Sequence, residues 1–451
     1  MSDSSAETNF IRNPHRTIFW LAFPVLFSMI AEPLTGLADT FFVRQLGEVP
    51  QAALGIGVSS LSASFWVFSF LGVGTHTEIA QALGKNDDQA ARRIVSLALV
   101  MAAAIGLIVA LIYAPIAPSV ANLLGATDAT QPDAITYIRM RLWGAPAVLL
   151  MMVIMGALRG RQQMQTALYL AVTINVINVL LDPPFIFGWQ MLPPLGVAGA
   201  GLASSISQWI GAFVGLWIVR RSIGFSPHFR WQNARRLLVV GSDLFIRTAA
   251  LLIFLGFATR VANRAGASVG AAHQAIQQIF VFAALFLDAF AVTAQSLIGY
   301  FVGADDWSTA KQVVQKSIAW AIGTGVLLSL AFWLWRTTIA GAFVSEAAHA
   351  EFYGAWLIAI GGLGISAIAF LADGVHWGTG DYPFMRNVML ISSMTAGMFL
   401  IVISRIAQPA TTLWWIWASV LLWNIVRAVL GMLRVWPGIW NSPFVMQSKL
   451  S

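Results

Sequence analysis

The chain has 451 residues, 58% of them hydrophobic and only 10% charged, with a mean hydropathy of +0.75. Soluble domains carry about 25% charged residues, so this composition excludes a water-soluble globular protein and leaves an integral membrane protein. The absence of cysteine excludes disulfides and thiolate metal sites.

In chain order, residues 1–16 are polar and read as a disordered cytoplasmic segment. The apolar run that follows is too long for a signal-peptide core and lacks a small-residue cleavage site, so it stays as the first span. Further runs at 50–80, 93–124, 132–158, 166–189 and 196–221 complete an N-lobe, 17–221. "RRSIGFSPHFRWQNARR" then carries a basic cytoplasmic linker, 222–237. Runs at 238–263, 268–301, 311–342, 349–377, 384–406 and 410–435 make a C-lobe, 238–440, before a cytoplasmic tail, 441–451. Each run can cross a hydrocarbon core of roughly 30 Å as a helix, and the strand alternation of a barrel is absent. The expected fold is therefore an all-α membrane protein with twelve transmembrane helices in two six-helix lobes. With those spans, seventeen lysines and arginines fall on one side and five on the other. That asymmetry places both termini in the cytoplasm of a cell inner (plasma) membrane protein. The net charge of +7 thus reports topology rather than a nucleic-acid partner.

The lobes repeat each other. "VRQLGEVPQAALGI" from Val43 aligns with "ANRAGASVGAAHQA" from Ala262, and "GKNDDQAAR" at 84–92 with "GADDWSTAK" at 303–311, all at an offset of 219. Six spans per repeat give both lobes the same orientation, the parallel-repeat arrangement of transporters.

Ionisable groups inside spans are costly, about 2.5–3.5 kcal/mol on insertion scales, unless a polar cavity or partner receives them. In "TINVINVLLDPPFIFGW", Asn175, Asn178 and Asp182 share one helical stripe, and Pro183 and Pro184 can free carbonyls in the preceding turn. That makes an oxygen-rich nest for a proton or small cation, with a hydrogen-bonded seam between helices as the alternative. In the first span Glu32 and Asp39 lie seven apart, with Pro33 and Gly36 between them as bending points. Asp39 and Asp182 lie at comparable depth and can face one cavity, where burial and like charge both disfavour ionisation; for Asp39 the alternative is a cap at the membrane surface. In the eighth span Gln274, Gln277 and Asp288 lie within roughly one stripe, as substrate contacts or a polar seam. Asp243 beside Arg247 reads as an i, i+4 ion pair, and Asp373 and His376 are ambiguous. The histidines form no metal-ligand spacing and no glycine-rich phosphate loop appears, so neither an enzyme nor direct ATP coupling is expected.

The segment "GALRGRQQMQTALYLAVTINVINVLLDPPFIFGW" with "LGVAGAGLASSISQ" resembles the signature of multidrug and toxic compound extrusion (MATE) transporters. "AQALGKNDDQAARR", "GYFVGADDWSTAKQ" and "GASVGAAHQAIQQI" match further elements, while "DLFIRT" and "ADGVHWGTGDYPFMRN" suggest the DinF-like branch. The resemblance implies a V of two lobes that alternates between inward and outward openings, and drug–cation antiport driven by proton or sodium entry. Position by position it implies Asp39, Asp182 and Asn178 as the first-lobe cation site. Ser204 and Gln208 fall on the motif's T/S and Q. The seventh span lacks a glutamate like that of the sodium-linked branch, which favours the proton as coupling ion.

The expected function is proton-coupled export of lipophilic or cationic small molecules, with protonation letting the first span bend at Pro33–Gly36. Glu32, Ser204, Gln208, Gln274, Gln277 and Asp288 are the candidates for the substrate cavity. Sodium coupling and a lipid or lipid-precursor flippase are the alternatives. A resident cofactor, a metal and a nucleic-acid partner are not expected, and the chain is expected to act as a monomer in the bilayer.

Overall fold

A computed structural model of the protein describes residues 5–190, 192–228, 231–406 and 411–446. Among them the only non-helical pairing is an isolated bridge between Trp189 and Leu192. The helices are α1 (Ser5–Arg12), α2 (Pro14–Arg44), α3 (Glu48–Trp66), α4 (Phe70–Gly84), α5 (Asp88–Leu123), α6 (Gln131–Leu142), α7 (Ala145–Gly160), α8 (Met164–Phe187) and α9 (Val197–Ser222). They continue as α10 (Trp231–Ala265), α11 (Ala267–Gly303), α12 (Trp307–Leu334), α13 (Arg336–Phe343), α14 (His349–Gly361), α15 (Leu363–Thr379), α16 (Tyr382–Ile406), α17 (Thr412–Val435) and α18 (Pro443–Met446). Ten described helical stretches are long and apolar enough to cross a membrane, α3 and α4 counting as one. The pairs α6–α7 and α14–α15, bent by 51° and 49°, bring the number to twelve if each pair is one span.

The chain divides into an N-terminal unit, 23–241, and a C-terminal unit made of 1–22 with 242–451. Both ends differ from the sequence expectation. The leading segment forms α1, whose Phe10 is only 2% exposed and packs on Phe301. Ile18 joins the same core as Leu297, Val314 and Leu371. In the tail, Phe444 is fully buried against Trp307. Two aromatics in otherwise polar stretches outweigh their surroundings, because burying each removes a large apolar area from water or headgroups. The boundary between units also falls after Gly241, beyond the expected linker, because α10 already begins at Trp231 and its first turns pack with the N-terminal unit: Leu237 and Val240 lie against Gly74.

The duplication is built into the packing. A side chain on Gly156 would strike the Gly72 carbonyl, and one on Gly374 would strike that of Ala291. One turn further on, a Cβ at Gly160 would lie 2.6 Å from the His76 oxygen, and one at Gly378 would lie 2.8 Å from that of Gln295. Thus α4 meets α7, and α11 meets α15, at backbone contact, which only glycine permits. The caps repeat as well. Asp87 accepts from the Ala90 N–H and Asp306 from the Thr309 N–H, each after a residue at positive φ (Asn86, Asp305). The offset of 219 holds through α5 and α12, then becomes 218, as the Gly144 and Gly362 bends and the positive-φ Gln162 and Gly380 attest. In the last span it is 216, since Gly215 packs on Ile154 and Gly431 on Ala372.

Gly378→Leu is expected to destabilise the C-terminal unit by about 1–3 kcal/mol or more through overpacking. Thermal melting of the purified protein in detergent checks this, with Gly397→Ala, where a Cβ meets nothing, as the control that stays near wild type.

Candidate functional site

The polar stripe of α8 points into the N-terminal unit. Asp182 is fully buried and Asn178 nearly so, while Asn175 is half-buried and takes no part in the cluster. Helix α8 runs through Pro183 and Pro184 to Phe187, and Gly199 at the start of α9 lies on the Phe185 carbonyl. That close approach brings α9 and Ser204 beside Asn178. With its amide oriented to satisfy its neighbours, Asn178 donates to Asp39 Oδ1 (3.1 Å) and accepts from the Ser204 Oγ (3.3 Å) and N–H (3.2 Å). Asp39, also buried, stands beside Asp182. Among the described residues, neither oxygen of Asp182 has a hydrogen-bond partner. Two carboxyls in contact lack a donor until a proton or cation comes between them, and a buried acceptor left unsatisfied is expensive.

Two members of the cluster went unread in the sequence. Tyr137 and Arg141 lie on α6, on the side of Asp39. The Tyr137 ring is held between Gly57 of α3 and Gly201 of α9. Arg141 lies beside the Tyr137 side chain and 5.9 Å over the Phe65 ring, with Nη1 buried and, among the described residues, without an acceptor. A basic residue within "TYIRMRL" was the available signal, since cations inside spans are functional candidates. Sorting basic residues into loops for topology passes over it.

The remaining candidates lie elsewhere. Pro33 and Gly36 are exposed within the single helix α2, and the side chain of Glu32 lies outside the described residues. Gln208 is half-buried. In α11, Gln274 is exposed and Asp288 half-buried, while Gln277 accepts from Thr259 of α10, which also contacts His273. Those last contacts form a seam between α10 and α11.

The expected Asp243–Arg247 pair is replaced by partners on other helices. Asp243 pairs with Arg386 of α16 at 2.6 Å, and Arg247 with Asp373 of α15. Asp373 also takes Arg427 of α17 at 2.7 Å, whose guanidinium donates to Asn424 and lies 4.4 Å over the Trp423 ring. Two guanidiniums on one buried carboxylate tie α10, α15 and α17 together within the C-terminal unit. Among the described residues, no group of three or more His, Cys, Asp or Glu forms a metal-binding set.

The repeat offsets place Ala258, Ala355, Ala359, Ala396, Leu400 and Val420 of the C-terminal unit opposite Asp39, Tyr137, Arg141, Asn178, Asp182 and Ser204. All six counterparts are buried in one hydrophobic cluster. The two units therefore share a scaffold, and only the N-terminal one carries the acid cluster.

A membrane-spanning, internally duplicated helical chain with a buried acid site in one half defines a secondary transporter. The MatE family profile matches residues 24–183 and 245–403, and the chain belongs to that family of multidrug and toxic compound efflux transporters rather than to an enzyme family. It is 29% identical to Protein DETOXIFICATION 44, chloroplastic, of Arabidopsis thaliana, over 94% of this chain and 84% of that one. With the DNA damage-inducible protein F of Escherichia coli (strain K12) it shares 27% identity over 96% and 94% of the two chains. Its fold is similar to crystal structures of MATE in a bent conformation (TM-score 0.87, 21% identity, 98% of each chain) and a straight conformation (TM-score 0.85, 21% identity, 97% of each chain).

Replacing Asp39 by Ala and Asp182 by Leu, the residue types of the C-terminal counterparts, is expected to leave the protein folded and as stable as wild type or more so, by up to about 1–4 kcal/mol. Thermal melting in detergent measures it. Asp373→Asn, by contrast, leaves two guanidiniums short of their carboxylate and is expected to cost about 3–5 kcal/mol in the same assay.

Proposed function

We propose that the protein is a proton-coupled antiporter that exports lipophilic, often cationic, compounds, and that Asp39 and Asp182 carry the coupling ion. The observation that carries this reading is the fully buried Asp182, with no donor on either oxygen among the described residues, beside a second buried carboxyl. A proton supplies the missing donor and removes a charge at once. Asn178, braced by Ser204, holds Asp39 in place while that exchange occurs. Antiport further requires that ion and substrate favour opposite conformations, since a ligand shifts an equilibrium only by its differential affinity. The basic asymmetry of the loops supports cytoplasmic termini in an inner membrane, and one chain holds the whole acid cluster, which supports a monomer as the working unit.

Sodium is the second reading, favoured by the oxygen-rich set of two carboxylates, an amide and a hydroxyl, which suits a hard cation. Accumulation of a fluorescent cationic dye in inverted vesicles, with pH and sodium gradients imposed separately, distinguishes the two. Dye uptake is expected to follow the pH gradient and to fall at least tenfold in Asp39→Asn and Asp182→Asn. Uptake that follows sodium and ignores pH would reverse the coupling ion, and full activity in both asparagine variants would remove the acid pair from the mechanism.

A further inference from the structure

We propose that one exposed polar stripe on α3 and one on α11 line the aqueous route of the exported compound. Gln274 and Gln278 on the second stripe are its specificity-determining residues, hydrogen-bonding compounds that carry amino or amide groups. The choice of compound rests on the export reading above; the wetness of the stripes does not. An exposed side chain on a span meets lipid, water or another protein surface, and the spans differ in which of these their exposed faces suit. On α5 the exposed Ile108 and Leu111 are apolar, and so are their equivalents on α12 at the offset of 219, Leu327 and Leu330. All four are more than half exposed, as befits side chains in contact with lipid.

The span before α5 and the span before α12 behave differently. Helices α3 and α11 both start after a glycine at positive φ, Gly47 and Gly266, and the offset of 219 holds between them. Ser59 and Gln278 are equivalent by that offset, and both are exposed. Ser62 lengthens the stripe of α3 in one direction and Gln274 that of α11 in the other, each about one turn away and each exposed. Gln277, between the two glutamines in sequence, is instead taken by Thr259 of α10. At about 1.5 Å per residue, Ser59 and Gln278 lie roughly 16 Å from the start of their helices, about half the thickness of a hydrocarbon core. Hydrocarbon offers an amide no hydrogen bond, so glutamines at that depth require water or a polar partner. A seam to a second copy of the chain needs such a face once, yet both copies of the repeat carry it. An amide presents an acceptor oxygen and N–H donors together, so it sorts compounds by their hydrogen-bonding groups rather than by charge.

The chain contains no cysteine, so each single-cysteine variant reports one position without background. A thiol reacts as its thiolate, which forms in water and not in apolar surroundings. In right-side-out and inverted vesicles, Ser59→Cys and Gln278→Cys are expected to react with a charged, membrane-impermeant methanethiosulfonate in at least one orientation. Ile108→Cys and Leu327→Cys, on the apolar faces, are expected to react about tenfold or more slowly. Ser59→Cys and Gln278→Cys proteins as inert as these two would overturn the proposal, whether lipid or another protein surface covers the stripes. In the inverted-vesicle uptake assay, Gln274→Leu/Gln278→Leu is expected to raise the KM for ethidium, which carries amino groups, by about fivefold or more. Uptake of tetraphenylphosphonium, which has no hydrogen-bonding group, is expected to stay within about twofold of wild type. Equal loss of both cations, or no change in either, would overturn the specificity role. A wild type that moves neither cation removes the export reading and the specificity role with it, while the labelling still decides whether the stripes are wet.

Discussion

A carboxylate that has left water must find a donor, and among the described residues Asp182 has none. That one unmet demand organises the N-terminal unit. Asp39 stands beside it, Asn178, itself held by Ser204, is spent on Asp39 rather than on Asp182, and Tyr137 and Arg141 lie on a third helix. A site completed by its own side chains would be a structural polar knot. One left short of a donor is completed by something that arrives and departs, which is the requirement of a carrier.

The scaffold that holds this site does not depend on it. Backbone contacts through Gly156 and Gly160 in one unit recur through Gly374 and Gly378 in the other. The C-terminal unit fills the same six positions with alanine, leucine and valine. Its buried charges lie elsewhere and are paired with one another, with Arg247 and Arg427 sharing Oδ2 of Asp373 and stacked on Trp377 and Trp423. Paired charges of this kind tie helices together, whereas the acid cluster sets two carboxyls against each other.

Much of this was legible in the sequence, because helical period alone puts Asn178 and Asp182 on one stripe and hydropathy alone gives the spans. The repeat was visible in loop motifs, where glycine and aspartate are demanded by turn and cap geometry. What stayed hidden was set by contacts between helices. Asp243 and Arg247 are correctly spaced for a pair within one helix, worth a few tenths of a kcal/mol at a surface, yet each finds a partner on another helix. Arg141 is buried on the side of Asp39 through the packing of α6 on α9, where Ser205 donates to the Met140 and Arg141 carbonyls. Asn175 obeys the same stripe as Asn178 and is still only half-buried, outside the contacts that Asn178 makes with Asp39 and Ser204. Phe10 carried too weak a periodic signal in a polar segment to announce that it would be buried.

The apolar counterpart of the acid site bears on descent. The glycine contacts fix how the helices meet, and the six exchanged positions lie around them without disturbing that fit. Ion chemistry is thus a trait that an ancestral half could gain or lose by a handful of substitutions, with no change in the instructions for folding. Once the gene had doubled, one copy was at liberty to specialise while its twin went on holding the same shape.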